Sequence, residues 1–242
     1  MKTQIDSTGQ LLVMSNNVIV ASDFHIPLQD DEAIDYMCKY ARDNRVKDLI
    51  INGDLMNEDA FSKYPRKDKE ANWDIEAEES LKVTDLLQMF FDNIAVELTN
   101  HDLRAIKATN WILTARNLMR IVFNDYEKTK ISFTDHDHII LNSSWRMCHP
   151  DKYSSKPCAL AEKFGKRYRM NTIMGHLHLL NHYQIGERHF IDGGCMTKME
   201  RHQYVQQTTT TFPEWKEGFV HIKDNVPKII AFSEPVSIRR EW

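Results

Sequence analysis

Apolar and polar residues alternate in short blocks along the chain. Val18-Ile-Val-Ala21 is an apolar run of the length a buried strand needs. Residues 30–44, DDEAIDYMCKYARDN, put Ala33, Ile34, Met37, Tyr40 and Ala41 on one helical face. Acidic residues crowd the start of that segment, where a helix dipole favours them. Asp48-Leu-Ile-Ile51 reads as a second strand, running into Asn52-Gly53-Asp54. Residues 71–92 carry Ile75, Leu81, Leu86, Leu87 and Phe90 on a helical pattern, and Ile94–Leu98 is a third strand, ending in Thr99-Asn100-His101-Asp102. Residues 111–126 predict another amphipathic helix. Ile131–Phe133 and His138–Leu141 flank Asp135–Asp137 and predict a hairpin, with Asp135-His136-Asp137-His138 as its exposed tip. A strand ends at Arg146-Met-Cys148, residues 155–168 are helical, and Thr172-Ile-Met174 is a strand ending in Gly175-His176. Residues 182–192, 219–223 and 228–232 then read as β. The alternation predicts a layered α/β domain with a mixed sheet or two packed sheets. With no repeat, low-complexity tract or linker, the expectation is one domain over residues 1–242.

The polar residues of interest gather where strands stop. Asp23 and His25 follow the first strand and Asp54 the second. Asn100 and His101 follow the third, His149 follows Cys148, and His176 and His178 follow the strand ending at Met174. In open α/β sheets the carboxyl ends of strands converge on one crevice. Carboxylate and amide oxygens together with imidazole nitrogens suit Mn²⁺, Fe²⁺ or Zn²⁺; carboxylates alone would suit Mg²⁺ better. Two cations ~3.5–4 Å apart need a bridging carboxylate, and Asp54, at a tight Gly-Asp turn, is the natural candidate.

The string Asp23-x-His25, Gly53-Asp54-x-x-Asn57, Asn100-His101-Asp102, His149, Gly175-His176-x-His178 resembles the calcineurin-like metallophosphoesterase superfamily. Its five motif blocks are present in order and span about two-thirds of the chain. The resemblance implies a four-layer αββα sandwich of two mixed sheets, with two divalent metal ions at its rim. Mn²⁺ is the first expectation, with Fe, Zn or Ni as alternatives. One metal would be held by Asp23, His25, Asp54 and His178, the other by Asp54, Asn100, His149 and His176. His101 would stand at the leaving-group oxygen and donate a proton or a hydrogen bond, oriented by Asp102. The implied reaction is in-line hydrolysis of a phosphate ester by a metal-bridging hydroxide. A phosphodiester is favoured, with a phosphomonoester, a DNA-repair-type nuclease substrate, or a non-catalytic binding scaffold of the same fold as alternatives. The Asn100-His-Asp-Leu-Arg104 form is similar to the branches that hold phosphodiesterases and such nucleases. Two positions depart from the family. Thr99 stands where Gly is usual, and is strained if that position needs a positive φ; Pro150 stands where Gly often follows the histidine.

Other residues have two readings each. Asn57 is a substrate contact or a turn residue, and Arg104 touches substrate phosphate or caps a helix. Trp145 and Tyr153 stack on a base or sugar, or belong to core and surface. His136, His138, His182, His189, His202 and His221 read as structural or surface residues.

Composition adds bounds. The chain has 242 residues, with 42% hydrophobic and 27% charged positions, which excludes a disordered or fibrous chain. Eleven His and only eight Gly stand out. The net charge of −4 argues against a basic nucleic-acid coat. It conceals an uneven distribution: residues 146–169 hold seven bases against two acids, and residues 54–79 nine acids against four bases. The positive stretch either steers a phosphate-rich substrate or is a solvated helix face. No apolar run approaches the ~18–20 residues of a membrane span, so no membrane partner is expected. The polar MKTQIDSTGQ lacks a signal peptide's apolar stretch, and Cys38, Cys148, Cys158 and Cys195 form no C-x-x-C pair. Both predict reduced thiols and a cytoplasmic location. Thr197 to Gly218 is read as covering either the site or a partner surface.

Overall fold

In chain order the strands are β1 (Lys2–Ile5), β2 (Leu11–Met14), β3 (Asn17–Ala21), β4 (Asp48–Asn52), β5 (Asn93–Glu97), β6 (Ile131–Thr134), β7 (Ile139–Leu141), β8 (Trp145–Cys148), β9 (Asn171–Met174), β10 (Leu180–Ile185), β11 (Arg188–Gly193), β12 (Gly218–Lys223) and β13 (Val226–Ala231). The helices are α1 (Asp31–Asp43), α2 (Trp73–Phe90), α3 (Arg104–Ala108), α4 (Ala115–Val122) and α5 (Ala159–Tyr168). They come from a computed structural model that describes residues 2–7, 10–63, 72–123, 128–202, 205 and 214–232. The strands form a six-stranded sheet, β13-β12-β3-β4-β5-β6, and a seven-stranded sheet, β1-β2-β7-β8-β9-β11-β10. Both are mixed: β3 through β6 run parallel and β12 antiparallel to β3, while β8 and β9 are parallel and β7 antiparallel to β8.

Period-two alternation assigns the faces. Val18 and Val20 of β3, Ile50 of β4 and Ala95 of β5 meet Trp145 and Met147 of β8, Ile173 of β9 and Ile191 of β11 between the sheets. Their alternates Ile19, Ala21, Leu49, Ile51, Ile94 and Val96 pack against Ile34 and Met37 of α1, Leu87 of α2 and Leu118 and Met119 of α4. On the far side, Leu160 and Ala161 of α5 cover Cys148, Met174 and Phe190. The result is the four-layer αββα order anticipated above. Helix α1 is stopped at its start by Asp30, whose side chain accepts from the Glu32 and Ala33 amides. All four cysteines are free and buried. No helix among the described residues is long and apolar enough to cross a membrane.

Three expectations need correction. Ile131–Phe133 and His138–Leu141 are not a hairpin: β6 joins β5 in one sheet and β7 joins β2 and β8 in the other, so the chain crosses between layers there. The helix expected over 111–126 begins at Thr114, whose hydroxyl caps it; Trp111 and Ile112 lie exposed before it. Trp145 is fully buried between the sheets, so it cannot stack on a base, whereas Tyr153 is exposed. The 111–126 helix, the 71–92 helix, the acidic 54–79 stretch and the 197–218 segment each extend partly outside the described residues, and the Thr208–Thr211 run lies wholly outside them.

Candidate metal centre

The turns after β3, β4, β5, β8 and β9 meet at one rim. Those after β3 and β4 are zipped together by Asp23 N to Gly53 O (3.1 Å), His25 N to Asp54 O (2.9 Å) and Ile26 N to Leu55 O (3.0 Å). These turns hold Asp23, His25, Asp54, His176 and His178 at φ values of 54°, 49°, 49°, 77° and 56°. A non-glycine residue there costs on the order of 1 kcal/mol, so the packing around them overdetermines the rim.

Asp54 divides its two oxygens between scaffold and site, and Asp23 does so less sharply, since the His176 amide reaches its Oδ1 (3.2 Å) as well as its Oδ2. Asp23 Oδ2 accepts from Ser22 Oγ (2.6 Å) and the His176 amide (3.0 Å). Its Oδ1 stands 3.0 Å from His178 Nε2 and 3.7 Å from both His25 Nε2 and His149 Nε2. Asp54 Oδ1 accepts from Thr99 Oγ1 (2.7 Å) and the His101 amide (3.2 Å). Its Oδ2 stands 3.1 Å from His149 Nε2, 3.7 Å from His25 Nε2 and 3.9 Å from His101 Nε2. Burial pushes both acids up, but the surrounding imidazoles, His149 foremost, outweigh it and hold both well below the usual carboxylate range. Conversely, Asp54 and Asp23 overcome burial at His149 and lift it well above the usual imidazole value.

The imidazoles are aimed from behind. His149 Nδ1 donates to the Asn52 carbonyl (2.9 Å), which aims its Nε2 at the carboxylates. The ring lies between two glycines: a Cβ on Gly53 or on Gly175 would collide with it. His25 Nδ1 (3.3 Å) and His101 Nδ1 (2.9 Å) both face Asn57 Oδ1, and His101 Nδ1 also faces the Asn57 carbonyl (3.1 Å). Asn100 Oδ1 is buried with no hydrogen-bond partner.

Three groups therefore have donor atoms within 4.8 Å of one another: Asp23, His25 and His178; Asp54, His149 and His176; and His25, Asp54 and His101. A set of carboxylate oxygens and imidazole nitrogens beside a stranded amide oxygen, that of Asn100, fits divalent cations, which would take the place of the His149 proton. Asn100, His101 and His176 are half-buried and form the accessible edge, while the other five are buried.

All seven residues expected to hold metal lie in or beside this cluster. Asp102 does not: its carboxylate accepts from the Met56 amide (2.7 Å) and the Thr99 amide (3.1 Å), and Asn57 meets His101 in its place. Burial pushes Asp102 up to about 7. Arg104 does not act as a cap. Its guanidinium donates to His101 Nε2 (3.0 Å), to the Asn57 carbonyl (2.8 Å) and to Asp59 Oδ1 (2.8 Å). Burial pushes His101 down to about 3, with Asp54 opposing and His25 and Arg104 adding to the shift.

Thr99 has a role that is not legible from sequence. It is not in the left-handed region, and its hydroxyl both donates to Asp54 Oδ1 and accepts from the Asp54 amide (2.9 Å). Ser22 and the Asn52 carbonyl were also invisible. So was Trp215, whose ring centroid lies 3.9 Å from that of His178. His202 packs 5.2 Å from His25, its Nε2 spent on Thr197 Oγ1 (2.8 Å). His182 pairs with His189 on the β10–β11 ribbon, and His221 lies between Tyr40 and Asn17, both away from the rim.

No family model matches the chain, and no curated protein matches it in sequence. Solved structures similar to it carry the calcineurin-like metallophosphoesterase fold. One is a predicted phosphoesterase from Streptococcus pneumoniae, with 16% identity over 89% of this chain and 97% of that one and a TM-score of 0.38. YfcE, a phosphoesterase from E. coli, shares 13% over 90% and 94%, at 0.47. Wild-type Vps29 from Entamoeba histolytica, complexed with Zn²⁺, shares 12% over 90% and 99%, at 0.44.

Proposed function

We propose that this chain is a phosphoesterase that works with two divalent metal ions, Mn²⁺ first, on a phosphodiester. The observation that carries this reading is the pair Asp23 Oδ1 and Asp54 Oδ2 ringed by imidazole nitrogens, with Asn100 Oδ1 buried and unpartnered. Asp23, His25, Asp54 and His178 would hold one ion and Asp54, Asn100, His149 and His176 the other, with Asp54 shared. When bound, the ions supply Lewis acidity, activating water and neutralising charge on the phosphoryl oxygens.

The chain's own residues orient and exclude. Thr99 and Ser22 fix the two carboxylates, Asn52 and Asn57 fix the imidazole tautomers, and the buried side of the cluster keeps solvent out. Substrate would enter from the edge of Asn100, His101 and His176, where His101 and Arg104 would face the departing oxygen. The basic 146–169 stretch supports a small substrate over a polynucleotide. Helix α5 starts at the rim and runs back to the beginning of β9, opposite Trp145, so Lys163, Lys166, Arg167 and Arg169 recede from His149.

Purified protein with Mn²⁺ is expected to hydrolyse bis-p-nitrophenyl phosphate, and Asp54→Asn or His176→Ala to reduce this to background. Failure to turn over with Mn²⁺, Ni²⁺, Fe²⁺ and Zn²⁺ alike would leave the scaffold reading standing. Single- and double-stranded DNA, cyclic nucleotides and p-nitrophenyl phosphate in the same assay separate nuclease, diesterase and monoesterase.

A further inference from the structure

Four contacts at the accessible edge fix what His101 and Arg104 can do. His101 Nδ1 faces a backbone carbonyl, that of Asn57, at 3.1 Å. A carbonyl only accepts, so Nδ1 is the donor and Nε2 carries the lone pair. Arg104 Nη2 lies 3.0 Å from that Nε2, and a guanidinium only donates. Nε2 is therefore an acceptor already taken. The guanidinium's other nitrogen, Nη1, is tied to the Asn57 carbonyl and to Asp59, each at 2.8 Å. Arg104 thus stays in place if Nη2 exchanges its partner. The group beside the departing oxygen is a fixed cation that offers a hydrogen bond and never gives up its proton.

That arrangement suits some leaving groups and not others. An alkyl ester expels a strongly basic alkoxide, which needs a proton as the bond breaks. A phosphoanhydride expels a phosphate, whose second ionisation lies at about 6, so it departs unprotonated at neutral pH. The departing phosphate is also an anion with oxygens spaced for a guanidinium. Resting on the phosphoesterase reading above, we infer that Arg104 makes the preferred substrate a phosphoanhydride, a disubstituted phosphorus joined through oxygen to a second phosphate. Hydroxide oxygen bonds to phosphorus, the bridging P–O bond breaks, and its electron pair leaves with the bridging oxygen on the second phosphate. The hydroxide hydrogen stays on the new P–OH and passes to solvent when that group ionises. Arg104 Nη2 moves from His101 Nε2 to the departing phosphate.

The test compares three substrates with Mn²⁺-loaded protein: a dinucleoside diphosphate with one pyrophosphate bond, bis-p-nitrophenyl phosphate, and a dinucleoside monophosphate with an alkyl leaving group. The expected kcat/KM on the pyrophosphate bond exceeds that on the alkyl diester by about 10²-fold or more. Arg104→Ala lowers the pyrophosphate rate about 10²-fold and the p-nitrophenyl rate much less, because phenolate brings no phosphate for the guanidinium to hold. Arg104→Lys keeps the charge without the fork and recovers part of the loss. A readout independent of turnover is ¹⁵N NMR of His101 in the metal-free protein, expected to show Nδ1 protonated and Nε2 not. Alkyl and anhydride substrates cleaved equally fast, or a proton found on Nε2, overturns the inference while the phosphoesterase reading stands. No turnover of any of the three sinks both.

Discussion

At Asp23 and Asp54 one oxygen is held mainly by the scaffold and the other faces the site, and the holding groups, Ser22 apart, come from turns far away in sequence. The types of these residues were legible in the sequence, because cation chemistry demands Asp, Asn and His at strand ends. Their supporting partners were not. Asp102 is adjacent to His101 in sequence, yet the turn sends its carboxylate back to the Thr99 amide, and Asn57, brought in from the β4 turn, meets the imidazole. Thr99 looked like a costly substitute for glycine and is a hydroxyl clamp on Asp54. A buried acid outside the cluster gives a pH test at this scale. Glu58 accepts from the Ala105 amide (2.6 Å), and burial pushes its carboxyl from 4.5 up to about 9. The folded protein then keeps a proton that the unfolded chain releases. Its contribution to stability is full below about pH 4.5 and declines as pH rises toward 9. Glu58→Gln removes that proton from the balance. Urea titrations should show the variant gaining on the parent by about 1 kcal/mol per pH unit across the window. Parallel curves at pH 5 and pH 8 would refute the assignment.

Among elements, legibility followed burial. Strands β3, β4, β5, β8 and β9 are covered on both faces, so they read as apolar runs whose ends mark the rim. β1 is mostly exposed and reads as polar chain, whereas β2, Leu11-Leu-Val-Met14, is an apolar run as long as those strands and is absent from the sequence reading without a physical reason. The supposed hairpin failed for another reason. Two apolar segments around a polar tripeptide look alike whether they pair with each other or with strands far away in sequence, and only the layers decide. Helix α1 was placed to within a residue at each end, because its cap and its apolar face agree. Asp30 holds that start, bonds through its amide to the Met196 carbonyl (2.8 Å) and lies 3.3 Å from Lys198 Nζ. Asp30→Ala is expected to cost about 1 kcal/mol, seen as a lower urea midpoint at unchanged slope. Asp30→Asn, which still caps, recovers most of it, whereas equal losses in the two variants would point to the Lys198 pair as the dominant contact.

For the molecule as a whole, the fold itself assembles the candidate ligands, since five of them are held at strained backbone angles by turns from both sheets. Cations that bind only this arrangement stabilise it by mass action. At one hundred times the dissociation constant the gain is about 2.7 kcal/mol. Mn²⁺ is therefore expected to raise the Tm and a chelator to reverse the rise. Asp54→Asn should abolish the metal-dependent part, and a Tm indifferent to metal in the parent protein would contradict the assignment. The division of ligands between sheets has a mechanical consequence. Asp23, His25, Asp54 and Asn100 ride on the six-stranded sheet, and His149, His176 and His178 on the seven-stranded one. Bound ions would add a rivet to two layers that already meet at this rim through the His149–Asn52 and His176–Asp23 hydrogen bonds. Sliding of one layer over the other, the softest collective motion of a sandwich, would then be blocked at one end and left free at the other. Amide exchange should slow on metal binding along β3, β4, β8 and β9 near the rim, and fade toward the opposite ends of the same strands.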